Sequence, residues 1–324
     1  MPLVSVIIPN YNHAAFLKER IDSVLKQTFT DFEIIILDDC STDNSREVIE
    51  NYRKAHLVSQ ISYNTTNSGS PFKQWQKGIS LAKGEWIWIA ESDDKADRYF
   101  LEKAFEILTK DPGIGCYYCD SYQINEKNEI VNKFSTGKNK MFKTNKWSVS
   151  HLTTGLAEIN ECLKFICTIN NASAFLCRKE IFHNKYPDIA VYRYYGDWHF
   201  YINALRQHKI YYNNNAYSYC RIHSKSLANK KHPDFKSKTE FFSLLKFIIS
   251  LPEVTDKKRL IKFYSYHYLG TGWIQDGIRK TMSLFFTFFK TDTRLAIKVI
   301  SGVIWQKITR KNRLKLIPEI KSIE

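Results

Sequence analysis

Short apolar runs alternate with segments of helical spacing along the first 120 residues. Runs at 3–9, 33–37, 85–90 and 114–119, with a weaker one at 61–63, predict buried strands. Apolar residues recur every three or four positions in the intervening segments 12–25, 43–52, 72–82 and 100–108, which predicts a helix in each. This alternation indicates an α/β fold with a mostly parallel sheet, in which ligands bind beyond the carboxyl ends of the strands.

The pattern changes beyond residue 120. Residues 120–221 are less regular and rich in Asn, Lys and Tyr, whereas 241–251, 260–269 and 295–308 have the spacing of helices. Between Lys236 and Glu324, 18 Lys and Arg stand against 7 Asp and Glu, so this quarter carries +11 of the net charge of +15. Such asymmetry favours a polyanionic neighbour, either nucleic acid or an anionic membrane surface.

Composition narrows the class of protein. Of the 324 residues 44% are hydrophobic and 25% charged, which is typical of a globular chain. We expect no membrane-spanning helix, because no uncharged apolar run reaches ~18 residues, and no signal peptide at the N-terminus. Seven scattered cysteines favour reduced thiols in the cytoplasm over a disulfide framework. Cys116 and Cys119 have redox or zinc spacing, but no second pair completes a site, so we interpret them as buried free thiols.

Carboxylates follow two of the predicted strands. Asp38 and Asp39 follow the second strand, and Glu91, Asp93 and Asp94 follow the strand at 85–90. Acids that lie together at a sheet edge repel one another unless a cation or hydrogen-bond donors neutralise them. A hard divalent ion such as Mg²⁺ or Mn²⁺ fits that need, whereas each pair alone would be ordinary for a loop or a helix cap.

Three motifs in register carry a family resemblance. The segments VSVIIPNYN at 4–12, LDDCSTD at 37–43 and GEWIWIAESDD at 84–94 resemble family 2 glycosyltransferases in order and in spacing. The resemblance implies the GT-A fold, a single α/β domain that binds a nucleotide-sugar. We expect it to occupy residues 1–235, with a nucleotide-sugar half at about 1–120 and an acceptor half at about 121–235. Residues 236–324 would form a helical, basic region outside the resemblance.

The resemblance implies roles for particular residues at the donor site. Asp39 would accept the N3–H of uracil or thymine, and its neighbour Asp38 would act beside it or structurally. Asp93 and Asp94 match the family's metal-binding acids. Glu91 stands where the family usually has Asp, so it would reach either ribose or metal. The nucleotide-binding residues are therefore expected to be Pro9, Tyr11, Asn12, Asp38, Asp39, Lys73, Glu91, Ser92 and Asp93.

The expected site also includes a phosphate contact, a general base and a third metal ligand. Lys73, or its neighbour Lys77, would approach the diphosphate, or either would be a solvated helix lysine. Asp197, in the segment YGDWH, matches the position of the family's Glu-Asp or Gly-Asp motif before an aromatic helix, and the resemblance implies that it is the general base. The segment 219–227 resembles a family stretch with Arg, His and Ser, which makes His223 a third metal ligand beside Asp93 and Asp94, or a phosphate contact.

Taken with the charge distribution, these motifs predict an inverting, metal-dependent glycosyltransferase. It would use Mn²⁺ or Mg²⁺ to move a hexose or N-acetylhexosamine from a UDP- or dTDP-sugar to a saccharide or lipid-linked acceptor in bacterial surface polysaccharide assembly. The basic C-terminal region would hold it on the inner face of the membrane, or would simply pack on the catalytic domain. The alternative is a non-catalytic module that binds nucleic acid or an anionic surface, although acids at the strand ends would repel phosphate there.

Overall fold

A computed structural model describes residues 1–183, 189–224, 226, 234–269, 273–309 and 320. Within these residues the strands are β1 Val4–Asn10, β2 Phe32–Asp38, β3 Val58–Tyr63, β4 Trp86–Ile89, β5 Lys95–Ala96, β6 Ile114–Ile124, β7 Ile130–Lys133, β8 His151–Thr154, β9 Phe175–Arg178 and β10 Lys209–Arg221. The helices are α1 Ala14–Leu25, α2 Ser45–Glu50, α3 Pro71–Leu81, α4 Phe100–Leu108, α5 Phe134–Phe142, α6 Gly155–Glu158, α7 Glu180–His183, α8 Gly196–Leu205, α9 Phe235–Ser250, α10 Lys257–Tyr264, α11 Trp273–Thr291 and α12 Thr293–Thr309. Two π-helical segments, Ile159–Leu163 and Ser265–Leu269, continue α6 and α10.

One mixed sheet organises the molecule, with the strand order β3-β2-β1-β4-β9-β6-β10-β5. Strands β3, β2, β1 and β4 are parallel to one another, β9 is antiparallel to both β4 and β6, and β10 is parallel to β6. The six strands other than β9 and the short edge strands therefore point the same way. The predicted mostly parallel α/β sheet is confirmed.

Alternation along the strands explains why both faces of the sheet are buried. In β1, Val4, Val6 and Ile8 belong to an apolar cluster that includes α1 and α4, whereas Ile7 belongs to the cluster on the other face. Successive strand side chains point to opposite faces, so a continuous apolar run fills both cores. The cluster that contains Ile7 extends through α3 and α8 into α9–α12. The C-terminal helices thus share a core with the sheet, and the division into units 1–235 and 236–324 stays a prediction.

The topology brings the chain's acidic loops to one edge. Asn10 pairs with Asp38 and Ile7 with Ile89, so the carboxyl ends of β1, β2 and β4 lie side by side. The loop after β4 leads into β5, and Ala96 of β5 pairs with Ser218 near the end of β10. The end of β10 therefore lies beside the acids that follow β4, although more than a hundred residues separate them in sequence.

Two further expectations can be compared with the structure. All seven cysteines fall within the described residues and are free, and Cys116 and Cys119 are buried in β6 as expected. Among the described residues, no helix has both the length and the apolarity needed to cross a membrane.

Candidate active site

A cleft of about 1100 Å³ opens at the carboxyl ends of β1, β2 and β4. Its walls also include residues of α8, of α9 and of the segment that follows β10. The predicted site residues that line it are Pro9, Tyr11, Asn12, Asp39, Glu91, Ser92, Asp93, Asp94, Asp197 and His223. Asp38 and Lys73 do not line it.

The Asp39 carboxylate is held by hydrogen-bond donors from the loop before α3 and from α3 itself. It accepts from the side-chain amides of Asn64, Asn67 and Gln74 at 2.6–3.2 Å. The Ser68 backbone N–H and hydroxyl donate to it as well, at 2.8–3.1 Å. Asp39 is only 4% exposed, and these donors hold its carboxylate in place at the cleft wall.

Asp38 and Asn12 hold neighbouring loops together. The Asp38 carboxylate accepts from the Asn10 amide at 2.8 Å and from the Ser41 hydroxyl at 2.6 Å. Asn12 has a left-handed backbone, with a φ of 57°, and its side-chain oxygen accepts the Thr42 N–H at 2.7 Å. Asp38 thus acts behind the cleft wall, whereas Asn12 lies in the wall itself.

Tyr11 and the lysines of α3 differ in exposure to the cleft. The Tyr11 side chain is 46% exposed and lies at the cleft wall, where a planar ligand could stack on its ring. The Lys73 ammonium donates to the Ser68 carbonyl at 2.9 Å, and that of Lys77 donates to Asn64 Oδ1 at 2.6 Å. Both lysines therefore support the loop that holds Asp39.

A group of nitrogen and oxygen ligand atoms lies at the end of β10. One such atom from each of His13, Asp93 and His223 falls within 4.8 Å of the others. His223 Nε2 is 3.1 Å from Asp93 Oδ2, and Ser92 Oγ is 2.8 Å from His13 Nδ1. Burial raises the pKa of Asp93, but the hydrogen bond to His223 and the charge of the two imidazoles outweigh it and leave that pKa below its ordinary value. An ionised carboxylate between two imidazoles is a donor set that fits a divalent cation.

Asp94 lies next to this group with different partners. Its carboxylate accepts the Arg221 backbone N–H at 2.9 Å and the Asn171 side-chain amide at 3.2 Å. Burial, followed by the charge of Asp93, raises the pKa of Asp94 to about 6. The structure therefore places Asp93 and His223 of the predicted metal ligands together with His13, and it places Asp94 beside them within a protein hydrogen-bond network.

The remaining acid, Glu91, lies against a buried arginine. Trp75 Nε1 donates to the Glu91 carboxylate at 2.8 Å, and burial raises the pKa of Glu91 to about 8, with a further increase from the charge of Asp93. The Arg20 side chain is fully buried, donates to the Glu91 carbonyl at 2.8 Å and reaches Ser173 Oγ at 2.7 Å. A second buried cation, Arg221, donates to the Asp93 carbonyl at 2.8 Å. These two guanidinium groups offset the acids of the loop after β4.

Asp197 comes from the first turn of α8 and lines the same cleft. Its Oδ1 accepts the Trp198 backbone N–H at 2.7 Å. Burial raises the pKa of Asp197 to about 6, although the hydrogen bond to Trp198 lowers it. A carboxylate with that pKa is ionised at neutral pH and is a stronger base than a solvated aspartate.

The chain just before Asp197 is fixed by α9. The carboxylate of Glu240, only 7% exposed, accepts the backbone N–H of Arg193 at 2.9 Å and that of Tyr194 at 2.8 Å. The Tyr195 ring stacks on Phe241 with ring centroids 3.7 Å apart. We call residues 192–195 together with Glu240 and Phe241 the base-support segment. It couples the C-terminal helices to the position of Asp197.

Sequence reasoning missed His13, Arg20 and Glu240. His13 directly follows the first motif, but only the fold reveals its neighbour His223. Arg20 and Glu240 each occupy a position on the apolar stripe of a helix, beside Leu17 and Ile21 in α1 and beside Leu244 in α9. A charged residue on the apolar stripe of a helix indicates a buried charge with hydrogen-bond or ionic partners, because burial of an unpartnered charge is costly. This is the sequence signal that could have identified Arg20 and Glu240.

The fold matches solved glycosyltransferase structures. The TarS 1–349 fragment of Staphylococcus aureus, solved in complex with UDP-GlcNAc, superposes with a TM-score of 0.70 over 96% of this chain and 93% of that one, at 19% identity. The mannosyltransferase PcManGT of Pyrobaculum calidifontis, in complex with GDP-Man and Mn²⁺, gives a TM-score of 0.58 at 15% identity, over 96% of this chain and 88% of that one. At these identities the likeness concerns the fold, and the expected GT-A architecture is confirmed.

Sequence comparison then gives the family. Residues 5–184 match the model of glycosyl transferase family 2, and the chain belongs to that family. A glycosyltransferase of Haemophilus influenzae is 29% identical over 250 residues, which cover 75% of this chain and 88% of that protein. Full-length TarS, a poly(ribitol-phosphate) β-N-acetylglucosaminyltransferase, is 38% identical over 102 residues, which cover 31% of this chain but only 18% of TarS.

Proposed function

We propose that this chain is an inverting, metal-dependent glycosyltransferase that moves a sugar from a UDP- or dTDP-linked donor to an acceptor hydroxyl in bacterial surface polysaccharide assembly. The observation that carries the proposal is that one cleft is lined by Asp39, by the group of His13, Asp93 and His223, and by Asp197. Such a transfer needs three elements: a hydrogen-bond acceptor for the pyrimidine base, a cation site and a general base. The alternative, nucleic-acid binding in this cleft, is disfavoured by its carboxylates.

The donor half of the proposal rests on hydrogen-bond complementarity. Uracil and thymine carry an imide N3–H, and the Asp39 carboxylate is held at the cleft wall as an acceptor. Tyr11 lies nearby with an exposed ring that suits stacking on a base. A UDP-sugar is supported further by the fold shared with the TarS fragment solved with UDP-GlcNAc.

Asp93, His223 and His13 would hold the cation. When bound, a divalent cation there would stabilise the negative charge of the departing diphosphate as a Lewis acid. Two imidazoles beside one carboxylate favour Mn²⁺ over Mg²⁺, because Mg²⁺ strongly prefers oxygen ligands. Ser92 would fix the orientation of the His13 ring through its contact with Nδ1, as outer partners of metal-binding histidines do.

Asp197 would supply the base. The acceptor oxygen forms a bond to the anomeric carbon while the bond from that carbon to the diphosphate breaks, and the electron pair of the broken bond leaves with the nucleotide. The proton of the acceptor hydroxyl passes to the Asp197 carboxylate. A single displacement of this kind inverts the anomeric centre. Burial strengthens Asp197 as a base by raising its pKa to about 6.

Thermal unfolding with a panel of nucleotides tests the donor assignment. UDP, UDP-GlcNAc and dTDP-sugars should raise the melting temperature in the presence of Mn²⁺, whereas CDP should not, because cytosine N3 is a hydrogen-bond acceptor and carries no proton for the Asp39 carboxylate. Asp39→Asn should abolish this selectivity. The proposal fails if CDP stabilises the protein as much as UDP does, or if Asp39→Asn leaves the response to UDP unchanged.

A further inference from the structure

Two consecutive helices near the C-terminus present exposed apolar side chains in regular stripes. On α11, Met282, Phe286 and Phe289 are 61%, 62% and 39% exposed. Their spacing of four and three residues places them on one face of the helix. On α12, Ile297 and Ile304 are 53% and 50% exposed and lie seven residues apart, which also places them on one face. We call these five residues the outer apolar stripes.

The opposite faces of the same helices hold them on the protein. Leu284 and Phe288 of α11 are buried, and Phe288 stacks on Phe242 of α9 with ring centroids 4.3 Å apart. On α12, Val299 and Val303 are fully buried. The two helices are therefore anchored by their inner faces, and the outer apolar stripes are not needed for that packing.

Basic side chains flank the outer apolar stripes. Between 279 and 305 the only acid in the sequence is Asp292, and it accepts the Leu295 N–H at 2.9 Å at the start of α12. The Lys290 ammonium lies 4.6 Å from the centroid of the Phe286 ring, so that a cation sits beside an exposed apolar group. The exposed basic residues of this stretch are Arg279, Lys280, Lys290, Arg294 and Lys298.

We propose that the outer apolar stripes and their flanking basic residues dock the protein on an anionic lipid surface. Phenylalanine, methionine and isoleucine side chains would enter the boundary between headgroups and acyl chains, and the lysines and arginines would contact anionic headgroups. A second copy of this chain would bring the same positive charges together in a symmetric interface, and the resulting repulsion disfavours it. A phosphate-rich polyanion would leave the apolar groups in water. The lipid surface satisfies both features at once.

Vesicle sedimentation with the full chain tests the proposal. The protein should sediment with phosphatidylcholine vesicles that contain phosphatidylglycerol, and much less with pure phosphatidylcholine. The double variant Phe286→Ser/Ile297→Ser should bind at least about tenfold more weakly, because two apolar side chains no longer leave water. A matched control is Ile130→Ser/Val131→Ser on β7, where both side chains are equally exposed at 59% and 64%.

The contribution of the basic residues to vesicle binding is tested with a second double variant and a matched control. Lys290→Gln/Lys298→Gln should weaken binding by about fivefold or more for each charge, and added salt should abolish the difference. Lys54→Gln/Lys127→Gln removes the same charge from exposed positions elsewhere and should have little effect. Equal binding of each stripe variant and its control overturns the proposal. So does a concentration-dependent dimer that Phe286→Ser/Ile297→Ser converts to monomer, since the occupant would then be a second copy.

This test is independent of the proposed reaction. Binding to vesicles is measured without donor, acceptor or cation, and stabilisation of the same variants by UDP and Mn²⁺ confirms that they are folded. Loss of vesicle binding in a variant that still binds UDP supports the lipid surface alone. Retention of vesicle binding in a protein that fails to bind any nucleotide would refute the proposed function and leave the lipid surface standing.

Discussion

Replacement of Asp197 by Asn is the sharpest test of the proposed chemistry. The variant keeps the shape of the side chain and the oxygen that accepts the Trp198 N–H at 2.7 Å, but it cannot take a proton. General-base catalysis typically contributes about 10²–10⁴-fold, so we expect turnover to fall by that factor. Affinity for UDP should stay the same, because Asp197 lies on α8, whereas the proposed contacts to the nucleobase come from the loops after β1 and β2. Asp256→Asn, at an exposed position, is the control.

The pH dependence of the same residue gives a second magnitude. The pKa of Asp197 is raised to about 6, so about nine tenths of its carboxylates are ionised at pH 7 and about one tenth at pH 5. The rate at saturating donor should therefore fall about tenfold as the pH falls through that interval, because the base is lost on protonation. Release of nucleoside diphosphate measures the rate, and calorimetry of UDP binding over the same interval separates this effect from titration at the donor site. A flat profile, or more than a tenth of normal turnover in Asp197→Asn, would refute the assignment.

Two further predictions concern the cation and the base-support segment. His13→Ala should lower Mn²⁺-dependent turnover at least about a hundredfold and abolish stabilisation of the protein by Mn²⁺ with UDP. The control His56→Ala, at an exposed position, should change neither. Normal Mn²⁺ activation in His13→Ala would exclude His13 as a ligand. Glu240→Gln should cost about 1–3 kcal/mol of unfolding free energy, because an amide leaves one of two backbone N–H groups without an acceptor. Glu240→Gln should lower turnover more than donor affinity. The control Glu253→Gln, in a partly exposed ion pair, should lower neither turnover nor affinity. Equal losses of turnover and of donor affinity in Glu240→Gln would show that Glu240 merely stabilises the fold.

The edge of the cleft at the carboxyl ends of β1, β2 and β4 could be predicted, because its residues belong to contiguous motifs. Strands β1, β2 and β4 are short apolar runs, and the acids at the ends of β2 and β4 come together because the carboxyl ends of parallel strands meet at one edge of the sheet. Their neighbours across the sheet could not be predicted in the same way. His223 is indicated only by the family resemblance of segment 219–227, and it lies 3.1 Å from Asp93 because β10 pairs with β5 in a long-range antiparallel contact.

Strands β9 and β10 could not be predicted from the sequence for a different reason. Strand β9 is only four residues long, and it joins the sheet between β4 and β6 by antiparallel pairing. Strand β10 contains several register shifts against β6, which break the alternation of apolar and polar residues. In α11, the aromatic run at 284–289 divides between the two faces, since Leu284 and Phe288 are buried while Phe286 is exposed. Leu284 and Phe288 therefore pack on the protein, whereas Phe286 belongs to the outer apolar stripes, for which we propose a lipid surface.

The base-support segment has a consequence for how this enzyme family could be re-engineered. The family model ends at residue 184. Asp197 lies beyond it, and so does the Glu240 carboxylate, which holds the backbone just before Asp197. A chimaera that exchanged only α8 would import the proposed base without the residues that hold it in place. One that exchanged only α9 would remove those contacts from Asp197, the proposed base of this chain. Exchange of acceptor preference between relatives should therefore succeed only when the loop at 192–195, α8 and α9 are transferred together.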